Sequence, residues 1–425
     1  MVIRGGTVVD ATGSRPADVL IQDGVISTVG SKVGSVPAGT VVLDAGGCIV
    51  APGLVDLHTH LREPGREEAE TVESGARAAA LGGYTAVVAM PNTEPAIDSA
   101  AVVRQVLELG RGACCDVRVA GAITLGREGR LLAPIAEMAA LGVRIFTDDG
   151  AGVQDARLMR RALEYGSALG VVLAQHCEDA SLAAGSHMHE GEWSSRLGIP
   201  GQPAEAEELM VSRDLALARL TGGRLHLLHL STAGSLAMVK GAKASGLPVT
   251  AEVVPHHFTL TDAAVASFDP VFKVNPPLRT ADDVAAVKAA LAEGVIDAIA
   301  TDHAPHAQED KEVPFYQAAP GMIGLETALA LALTELELPI ERILALASWQ
   351  PAAIAGLTAE HGGPVAAGRP ANLCVIDPTA KWVVDPAALA SRSRNTPYAG
   401  RALVGRVRHT VLRGEPVVID CEAQR

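Results

Sequence analysis

Histidines are concentrated in one part of this sequence. Eleven of the thirteen fall between positions 58 and 306, and most directly follow short β-branched runs. His58 and His60 flank one threonine, so on an extended segment both side chains point the same way, as two ligands of one ion must. His176 and His229 each follow another apolar run. Imidazole and carboxylate groups gathered at one rim are typical of a metal site.

A second metal ion about 3.5–4 Å from the first would need a bridging carboxylate. In several metal-dependent barrels a carbamylated lysine on the fourth strand supplies that group. Here the fourth run carries Arg144 and no lysine, and it ends in Asp148 and Asp149. One of these two aspartates is therefore expected to bridge, and for the other a plain capping role at the following helix stays open.

Asp302 ends the last run, where a carboxylate can contact a metal, take a proton from the attacking water and pass it to a leaving nitrogen. Arg62, Asn92, Asn275 and His306 complete a polar ring around it. The guanidinium fork of an arginine suits a substrate carboxylate. Each of the four could instead be structural, Asn275 especially, because asparagine before proline is common in turns.

Several of these histidines have a simpler interpretation when taken singly. A histidine after a buried strand, such as His176 or His229, is more often a satisfied core residue than a ligand. The pair His187 and His189 repeats the His-x-His pattern away from any strand end, and we interpret it as ordinary loop residues. The number of candidate ligands that follow successive strands favours the metal site for the others.

The runs that precede these residues alternate with alanine-rich helical stretches from about Pro52 to Ala355. Eight separated runs predict a parallel (β/α)8 TIM-like barrel, with its active site at the carboxyl ends of the strands. A longer segment, Gly185–Pro203, is expected to form a loop over the barrel mouth. The eight runs are Leu54–Leu57, Thr85–Ala89, Asp116–Ala120, Val143–Phe146, Val171–Ala174, Leu225–Leu228, Val249–Val254 and Ala298–Ala300.

Both ends of the chain lack this alternation of strands and helices, and their sequence patterns predict short strands joined by turns. We therefore expect an α/β protein whose barrel carries a small β-sandwich domain formed from both chain ends. The predicted division is residues 1–52 for the first part of the sandwich, 53–355 for the barrel and 356–425 for the second part.

The amino-acid composition limits which partners the protein is expected to bind and in which compartment it is expected. Hydrophobic residues make up 48% and charged residues 20% of the 425 positions, as in a globular protein, and the formal net charge is −14. A surface that acidic disfavours nucleic acid and anionic membranes. No apolar stretch is long enough to span a membrane, no signal peptide is evident, and the six cysteines form no CxxC pair. We expect reduced thiols and a cytoplasmic protein.

Two segments resemble the signatures of dihydroorotases, within the cyclic amidohydrolases of the amidohydrolase superfamily. They are DLHTHLREP at positions 56–64 and ATDHAPH at 300–306, the latter followed by Lys311. PNT at 91–93, NPPLR at 275–279 and GMIGLET at 321–327 agree with them. The resemblance covers essentially the whole chain and is strongest to the long bacterial type I enzymes, which use an aspartate in place of the modified lysine.

The resemblance implies two zinc ions per chain and a role for each candidate residue. Asp302 would be the catalytic acid/base and would also contact a metal. Pro320 departs from the family pattern, which has an apolar aromatic residue before the glycine. The implied metal ligands are His58, His60, Asp149, His176, His229 and Asp302, and the implied substrate contacts are His60, Arg62, Asn92, Asn275, His306 and the Pro320–Gly321 backbone.

The implied reaction is the reversible cyclisation of N-carbamoyl-L-aspartate to dihydroorotate in pyrimidine synthesis. A hydantoinase or allantoinase shares the barrel and the metals, but Arg62 and the Asp302–His306 segment favour a substrate that carries a carboxylate. A non-catalytic subunit that scaffolds aspartate carbamoyltransferase would lack several ligands, whereas every ligand position here is filled. A homodimer, with possible association with aspartate carbamoyltransferase, is the expected assembly.

Overall fold

The chain begins with short strands that belong to two different sheets. The computed structural model describes residues 1–425. Strands β1, β4, β5 and β6 form a four-stranded sheet in the order β5-β4-β1-β6, whereas β2, β3 and β7 join a second sheet. The seven strands are β1 (Val2–Arg4), β2 (Thr7–Asp10), β3 (Gly13–Pro16), β4 (Asp18–Gln22), β5 (Val25–Gly30), β6 (Val42–Asp44) and β7 (Ile49–Pro52).

Eight parallel strands follow and form the predicted barrel, each at or within two residues of the run that predicted it. Their order is β10-β9-β8 in one arc and β11-β12-β15-β16-β17 in the other. The barrel strands are β8 (Leu54–Thr59), β9 (Tyr84–Ala89), β10 (Asp116–Val119), β11 (Ile145–Phe146), β12 (Val172–Gln175), β15 (Arg224–Leu227), β16 (Val249–Val253) and β17 (Ala298–Ile299).

Single parallel bridges close the barrel where the two arcs meet. Gly121 pairs with Phe146 on one side, and Thr59 pairs with His303 on the other. Asp56 reinforces the second seam, because its carboxylate accepts hydrogen bonds from the backbone N–H of Thr301 at 2.8 Å and from the hydroxyls of Thr59 and Thr301. The first and last barrel strands are thereby held side by side.

Fourteen α-helices connect the strands, and several of them begin and end at residues suited to capping a helix. Thr71 and Thr280 begin α1 and α10 with capping boxes, and left-handed Gly170 and Gly294 end α4 and α10. The helices are α1 (Val72–Leu81), α2 (Ala100–Leu109), α3 (Ile135–Ala140), α4 (Ala156–Leu169), α5 (Ala180–Ala183), α6 (Glu192–Leu197), α7 (Glu205–Thr221), α8 (Ala233–Ala244), α9 (Pro255–Thr259), α10 (Ala281–Glu293), α11 (Gln308–Lys311), α12 (Ala328–Glu335), α13 (Ile340–Leu344) and α14 (Gln350–Ile354).

The segment predicted as a loop over the mouth contains regular structure. It holds the short parallel pair β13 (Met188–His189) and β14 (Gly201–Gln202), with α6 between them. Met188 and Ile199 are buried in a small apolar cluster together with Val265 and Phe315, so the segment is packed against other parts of the chain. The loop prediction was wrong in this respect, because four residues of strand are too few to give a period in the sequence.

The C-terminal strands complete the sheet that the N-terminal strands began. The order of this seven-stranded sheet is β21-β20-β19-β18-β7-β2-β3. The predicted class, a TIM-like barrel with a β-sandwich built from both chain ends, is therefore confirmed. Residues 1–52, 53–355 and 356–425 remain our proposed division. The C-terminal strands are β18 (Leu373–Val383), β19 (Ala402–Leu412), β20 (Glu415–Ile419) and β21 (Glu422–Ala423).

Only Gly53 separates β7, the last of the N-terminal sandwich strands, from the first barrel strand, β8. A Cβ atom at this position would lie 2.2 Å from two side-chain atoms of Thr85, so no larger residue fits without displacing strand β9. The Ser348 hydroxyl donates to the carbonyls of Pro52 and Gly53 at 3.2 and 2.9 Å. The passage between the two domains is thus short, straight and closely packed. No helix of the chain has both the length and the apolar character needed to cross a bilayer.

Candidate active site

The predicted site residues gather around one cavity at the carboxyl ends of the barrel strands. The cavity has a volume of about 300 Å³. His58 is fully buried just behind it. The predicted residues that line the cavity are His60, Arg62, Asn92, Asp149, His176, His229, Asn275, Asp302, His306, Pro320 and Gly321. The structure therefore brings together every residue of the predicted set, although their individual roles stay predictions.

One cluster of ligand-type atoms forms where the first barrel strand ends. His58 Nε2 lies 3.4 Å from Asp149 Oδ1 and 3.5 Å from Asp302 Oδ1. His60 Nε2 lies 3.0 Å from Asp302 Oδ1 and 3.6 Å from Asp149 Oδ2. The seam between β8 and β17 produces this arrangement, because His60 N–H donates to the His303 carbonyl at 2.9 Å and so aligns the two strand ends.

A second cluster shares Asp149 with the first. His176 Nδ1 and His229 Nε2 lie 3.5 and 3.6 Å from Asp149 Oδ1, and 2.9 Å from each other. His58, His60 and Asp149 form one group of possible metal ligands, and Asp149, His176 and His229 form another. Asp149 is thus the carboxylate placed between the two groups.

Asp148 points away from the cavity. Its carboxylate accepts hydrogen bonds from the backbone N–H groups of Ile123 and Thr124 at 2.8 and 3.0 Å, and from the Thr124 hydroxyl. Neither aspartate caps the following helix, because Asp155 accepts the hydrogen bond from Leu158 N–H at the start of α4. The capping interpretation was wrong, and Asp148 instead ties the end of β11 to the loop after β10.

Two buried polar atoms without hydrogen-bond partners indicate whether a cation would fit between these groups of ligands. His58 Nε2 and Asp149 Oδ1 are buried and have no hydrogen-bond partner. A buried polar atom without a partner costs about 1–3 kcal/mol. A cation between them would satisfy both atoms, and imidazole nitrogens with carboxylate oxygens are suitable donors for zinc. The residues present therefore fit a metal centre.

The histidines and carboxylates of the centre also shift one another's ionisation. Burial opposes ionisation of Asp149 and Asp302, but the neighbouring histidines outweigh it and hold the pKa of each carboxyl below its usual value. For both aspartates the charge of His58 is the largest of these favourable effects. Both aspartates are therefore ionised, as cation ligands must be.

A second side of the cavity is cationic and suited to an anion. Arg62 Nε donates to the Pro305 carbonyl at 3.0 Å, which fixes the guanidinium at the cavity wall. Burial lowers the pKa of Arg62 to about 10, so it stays charged at neutral pH. Burial and the charge of Arg62 lower the pKa of His306 to about 2, so this histidine is neutral. Arg62 therefore supplies the positive charge and His306 supplies polarity.

The other predicted substrate-contact residues are held by hydrogen-bond distances to neighbouring groups of the site. Asn92 Oδ1 lies 2.9 Å from His60 Nδ1, and Asn275 Nδ2 lies 3.4 Å from His176 Nε2. His306 Nε2 lies 2.8 Å from the Pro320 carbonyl, so it donates to the backbone beside Gly321. The two asparagines thus contact ring nitrogens that do not face Asp149.

Sequence reasoning missed several residues of the site. Arg66 and Gly150 line the cavity, and Arg127 donates to the Asp149 carbonyl at 2.7 Å. Glu252 and His226 lie behind the site on strands β16 and β15. A titratable side chain inside each of two mainly apolar strand runs was the available signal for this pair.

The alternative histidine groups do not reach the cavity. The His187 ring packs edge-on against Tyr316, and His189 accepts a hydrogen bond from buried Arg279 at 3.1 Å, so neither is a ligand candidate. At the opposite end of the barrel, His361 hydrogen-bonds Asp116 and Thr85 at 3.0 Å each. This last group has its ring nitrogens occupied by hydrogen bonds and serves as a buried polar connection.

Comparisons with known proteins agree with this geometry. Residues 47–235 match the family described as Dihydro-orotase-like, and residues 251–418 match the Amidohydrolase family. The chain is 51% identical to the dihydroorotase of Streptomyces coelicolor, with 99% of this chain and 98% of the relative covered. It is 48% identical to the dihydroorotase of Mycobacterium tuberculosis, with 95% of each covered.

Solved structures with the same architecture include two hydantoinases. The L-hydantoinase (dihydropyrimidinase) from Arthrobacter aurescens superposes with a TM-score of 0.89 at 25% identity, covering 100% of this chain and 97% of that one. The D-hydantoinase (dihydropyrimidinase) from a Thermus species gives 0.84 at 26% identity, covering 99% and 96%. Identity to the dihydroorotases is about twice as high and spans nearly the full length. The chain belongs to the dihydroorotase family of the amidohydrolase superfamily.

Proposed function

We propose that this chain is a cyclic amide hydrolase that interconverts N-carbamoyl-L-aspartate and (S)-dihydroorotate in pyrimidine synthesis. The observation that carries the proposal is the placement of Arg62 in the same cavity as Asp149 and Asp302. Dihydroorotate has a ring amide to be opened and a carboxylate outside the ring. One cavity here offers a candidate metal centre for the first group and a guanidinium for the second.

Two zinc ions per chain are the proposed cofactors. His58, His60, Asp149 and Asp302 would hold one ion, and Asp149, His176 and His229 would hold the other. When bound, the pair would supply a water with a pKa near 7 and a Lewis acid for the ring carbonyl.

The cationic wall of the cavity would orient the substrate. The Arg62 guanidinium is held through Nε, and its terminal nitrogens, one of them 3.5 Å from His306 Nε2, would bind the substrate carboxylate. His60, Asn92, Asn275, His306 and the Pro320–Gly321 backbone would supply polar contacts around the ring. A ring held at its carboxylate presents one carbonyl to the metal ligands, and this positioning lowers the entropic part of the barrier.

Asp302 is proposed to move the proton in both directions. In ring opening, its carboxylate would accept a proton from the water whose oxygen bonds to the ring carbonyl carbon. It would then return that proton to the ring nitrogen as the carbon–nitrogen bond breaks. His60 Nε2 lies 3.0 Å from Asp302 Oδ1, so the carboxylate that has to make this exchange stands beside a proposed ligand of the same ion. Ring closure follows the same steps in reverse and releases water.

The direct test is an assay of the purified protein with dihydroorotate, hydantoin and allantoin, with metal counted on the same sample. Turnover of dihydroorotate well above that of the other two substrates, with about two zinc ions per chain, is the expected result. Preference for hydantoin or allantoin would overturn the substrate assignment. Absence of all three activities in the metal-loaded protein would favour a non-catalytic scaffold instead.

Assembly and location are further proposals: the assembly rests on the family resemblance, and the location on the composition and the unpaired cysteines. We propose a homodimer in the cytoplasm that associates with aspartate carbamoyltransferase. Light scattering of the protein, alone and mixed with the transcarbamoylase from the same source, tests the dimer and the association. A monomer, or two species that elute independently, would contradict them.

A further inference from the structure

Glu252 lies inside the barrel wall with no exposed surface, next to the proposed metal centre. Its two carboxylate oxygens have different partners. Oε1 lies 2.8 Å from His58 Nδ1, and Oε2 lies 3.0 Å from His226 Nε2. Glu252 is therefore a buried carboxylate placed between two imidazoles.

The contact with His58 determines which ring nitrogen carries hydrogen. A carboxylate can only accept, so His58 Nδ1 must be the donor. A cation that takes the place of the second ring proton would then meet the lone pair on Nε2, the atom that faces Asp149 and Asp302 without a hydrogen-bond partner. Glu252 thus selects the tautomer in which His58 can bind a cation.

His226 holds Glu252 from the other side. It donates through Nε2 to Glu252, so its Nδ1 accepts from the Thr250 hydroxyl at 2.8 Å. Thr250 and Glu252 lie on the same face of β16, because side chains alternate along a strand. His226 pairs with Thr250 across the parallel ladder. The hydrogen bonds therefore form one chain from Thr250 to His58.

The other three histidines of the centre have weaker support. His60 Nδ1 contacts the neutral amide of Asn92 at 2.9 Å. His176 Nε2 lies 3.7 Å from the partly exposed carboxylate of Glu178. His229 Nδ1 has no partner. His58 alone has a fully buried carboxylate at hydrogen-bond distance behind its metal-facing nitrogen.

We propose that Glu252, supported by His226, is a positioning residue for the metal ion that His58 holds. It fixes the ring orientation and the tautomer of His58 and increases the basicity of Nε2, although it touches neither metal nor substrate. This inference rests on the metal centre of the proposed function. It does not depend on the identity of the substrate, because metal binding can be measured without one.

The test measures metal affinity of Glu252→Leu and Glu252→Gln in the full chain. Metal-free protein is titrated with Zn²⁺ against a chromogenic chelator, and the visible spectrum of the Co²⁺-loaded protein is recorded. Loss of a carboxylate behind a metal-bound histidine typically weakens binding about 10–100-fold. We expect this loss in Glu252→Leu, a smaller loss in Glu252→Gln, and an altered Co²⁺ spectrum in both.

Asp116→Asn is the matched control. Asp116 is also a buried carboxylate, hydrogen-bonded to His361 at 3.0 Å, but it lies at the opposite end of the barrel. Its variant should keep wild-type Zn²⁺ affinity and Co²⁺ spectrum. Equal loss of affinity in Asp116→Asn would show a general effect of removing a buried charge and overturn the proposal.

Unchanged affinity and spectrum in Glu252→Gln and Glu252→Leu would overturn it as well. If Glu252→Leu does not fold, the isosteric Glu252→Gln decides alone, because it retains the shape of the side chain. Failure of the wild-type protein to open dihydroorotate would contradict the proposed function and leave this measurement intact.

Discussion

Gly321 lies so close to His306 that a side chain at position 321 would collide with the imidazole. A Cβ atom there would be 2.7 Å from His306 Nε2 and 2.8 Å from the Ala304 Cβ. The φ angle of Gly321 is 147°, a conformation that residues with a side chain rarely adopt. The absence of a side chain is therefore part of how this wall of the cavity is built.

Gly321→Ala should consequently displace His306 and the Pro320 carbonyl that it contacts. We expect KM for dihydroorotate to rise about tenfold or more, with metal content unchanged, because the nearest atoms to the new Cβ belong to His306 and Ala304, which are not proposed metal ligands. Steady-state kinetics and metal analysis of the same preparation check this. An unchanged KM would remove this loop from the substrate site.

Asp149→Ala should lose one or both metal ions and nearly all activity, since Asp149 is the carboxylate shared by both clusters. Asp148→Asn is the matched control, because Asp148 hydrogen-bonds Ile123 and Thr124 outside the cavity. The control should lose stability and keep its metal. Metal counts on the two variants distinguish them, and a full complement in Asp149→Ala would contradict the bridging role.

Arg62→Lys keeps the charge and loses the planar fork that suits a carboxylate. A hydrogen bond to a charged group contributes about 1.5–3 kcal/mol, so KM for dihydroorotate should rise roughly 10–100-fold. Any turnover of hydantoin, which has no carboxylate, serves as the internal control and should change little. Equal effects on both substrates would show that Arg62 does not select the carboxylate.

Asp302→Asn preserves the size of the side chain but cannot accept the proton of the attacking water. General acid–base groups contribute about 10²–10⁴-fold, so kcat should fall by at least that factor. Metal content measured alongside kcat separates proton transfer from ligation. Near wild-type turnover with the metals in place would contradict this role and would point to His303 or His306 as the general base.

Replacing Glu326 and replacing Glu70 should change the free energy of unfolding in opposite directions. Burial raises the pKa of Glu326 to about 7, so its contribution is present at low pH and lost as pH rises toward 7. Despite burial, the hydrogen bond with His303 lowers the pKa of Glu70, so its contribution is present at neutral pH and lost in acid. Above pH 7, Glu326→Gln should raise the free energy of unfolding by about 2 kcal/mol, whereas Glu70→Gln should lower it. Denaturation curves from pH 5 to 8 check both signs.

Much of the site could be predicted because its residues follow strand ends. The eight runs place His58, Asp149 and Asp302 at one rim through the direction of parallel strands alone. The choice between Asp148 and Asp149 could not be made from the residues themselves, because it depends on backbone donors at Ile123 and Thr124. The family resemblance assigned Asp149, and the structure places that residue in the cavity.

The contact of Glu252 is a second feature that could not be predicted from the sequence. Its partner His58 is 194 positions away in sequence, and no local pattern joins the two. A glutamate within a β-branched run signals that some partner must exist, because a buried charge needs one. Which partner it has depends on the order of strands around the barrel.

Because only Gly53 separates β7 from β8, the seven-stranded sheet and the first pair of proposed ligands should move together. Six residues of extended chain join Pro52 to His58, a reach of roughly 20 Å with little slack. A shift of the sheet along that axis would move His58 and His60 relative to Asp149, which is anchored on another strand. Disturbances far out in the sandwich should therefore affect metal retention before they affect the rest of the barrel.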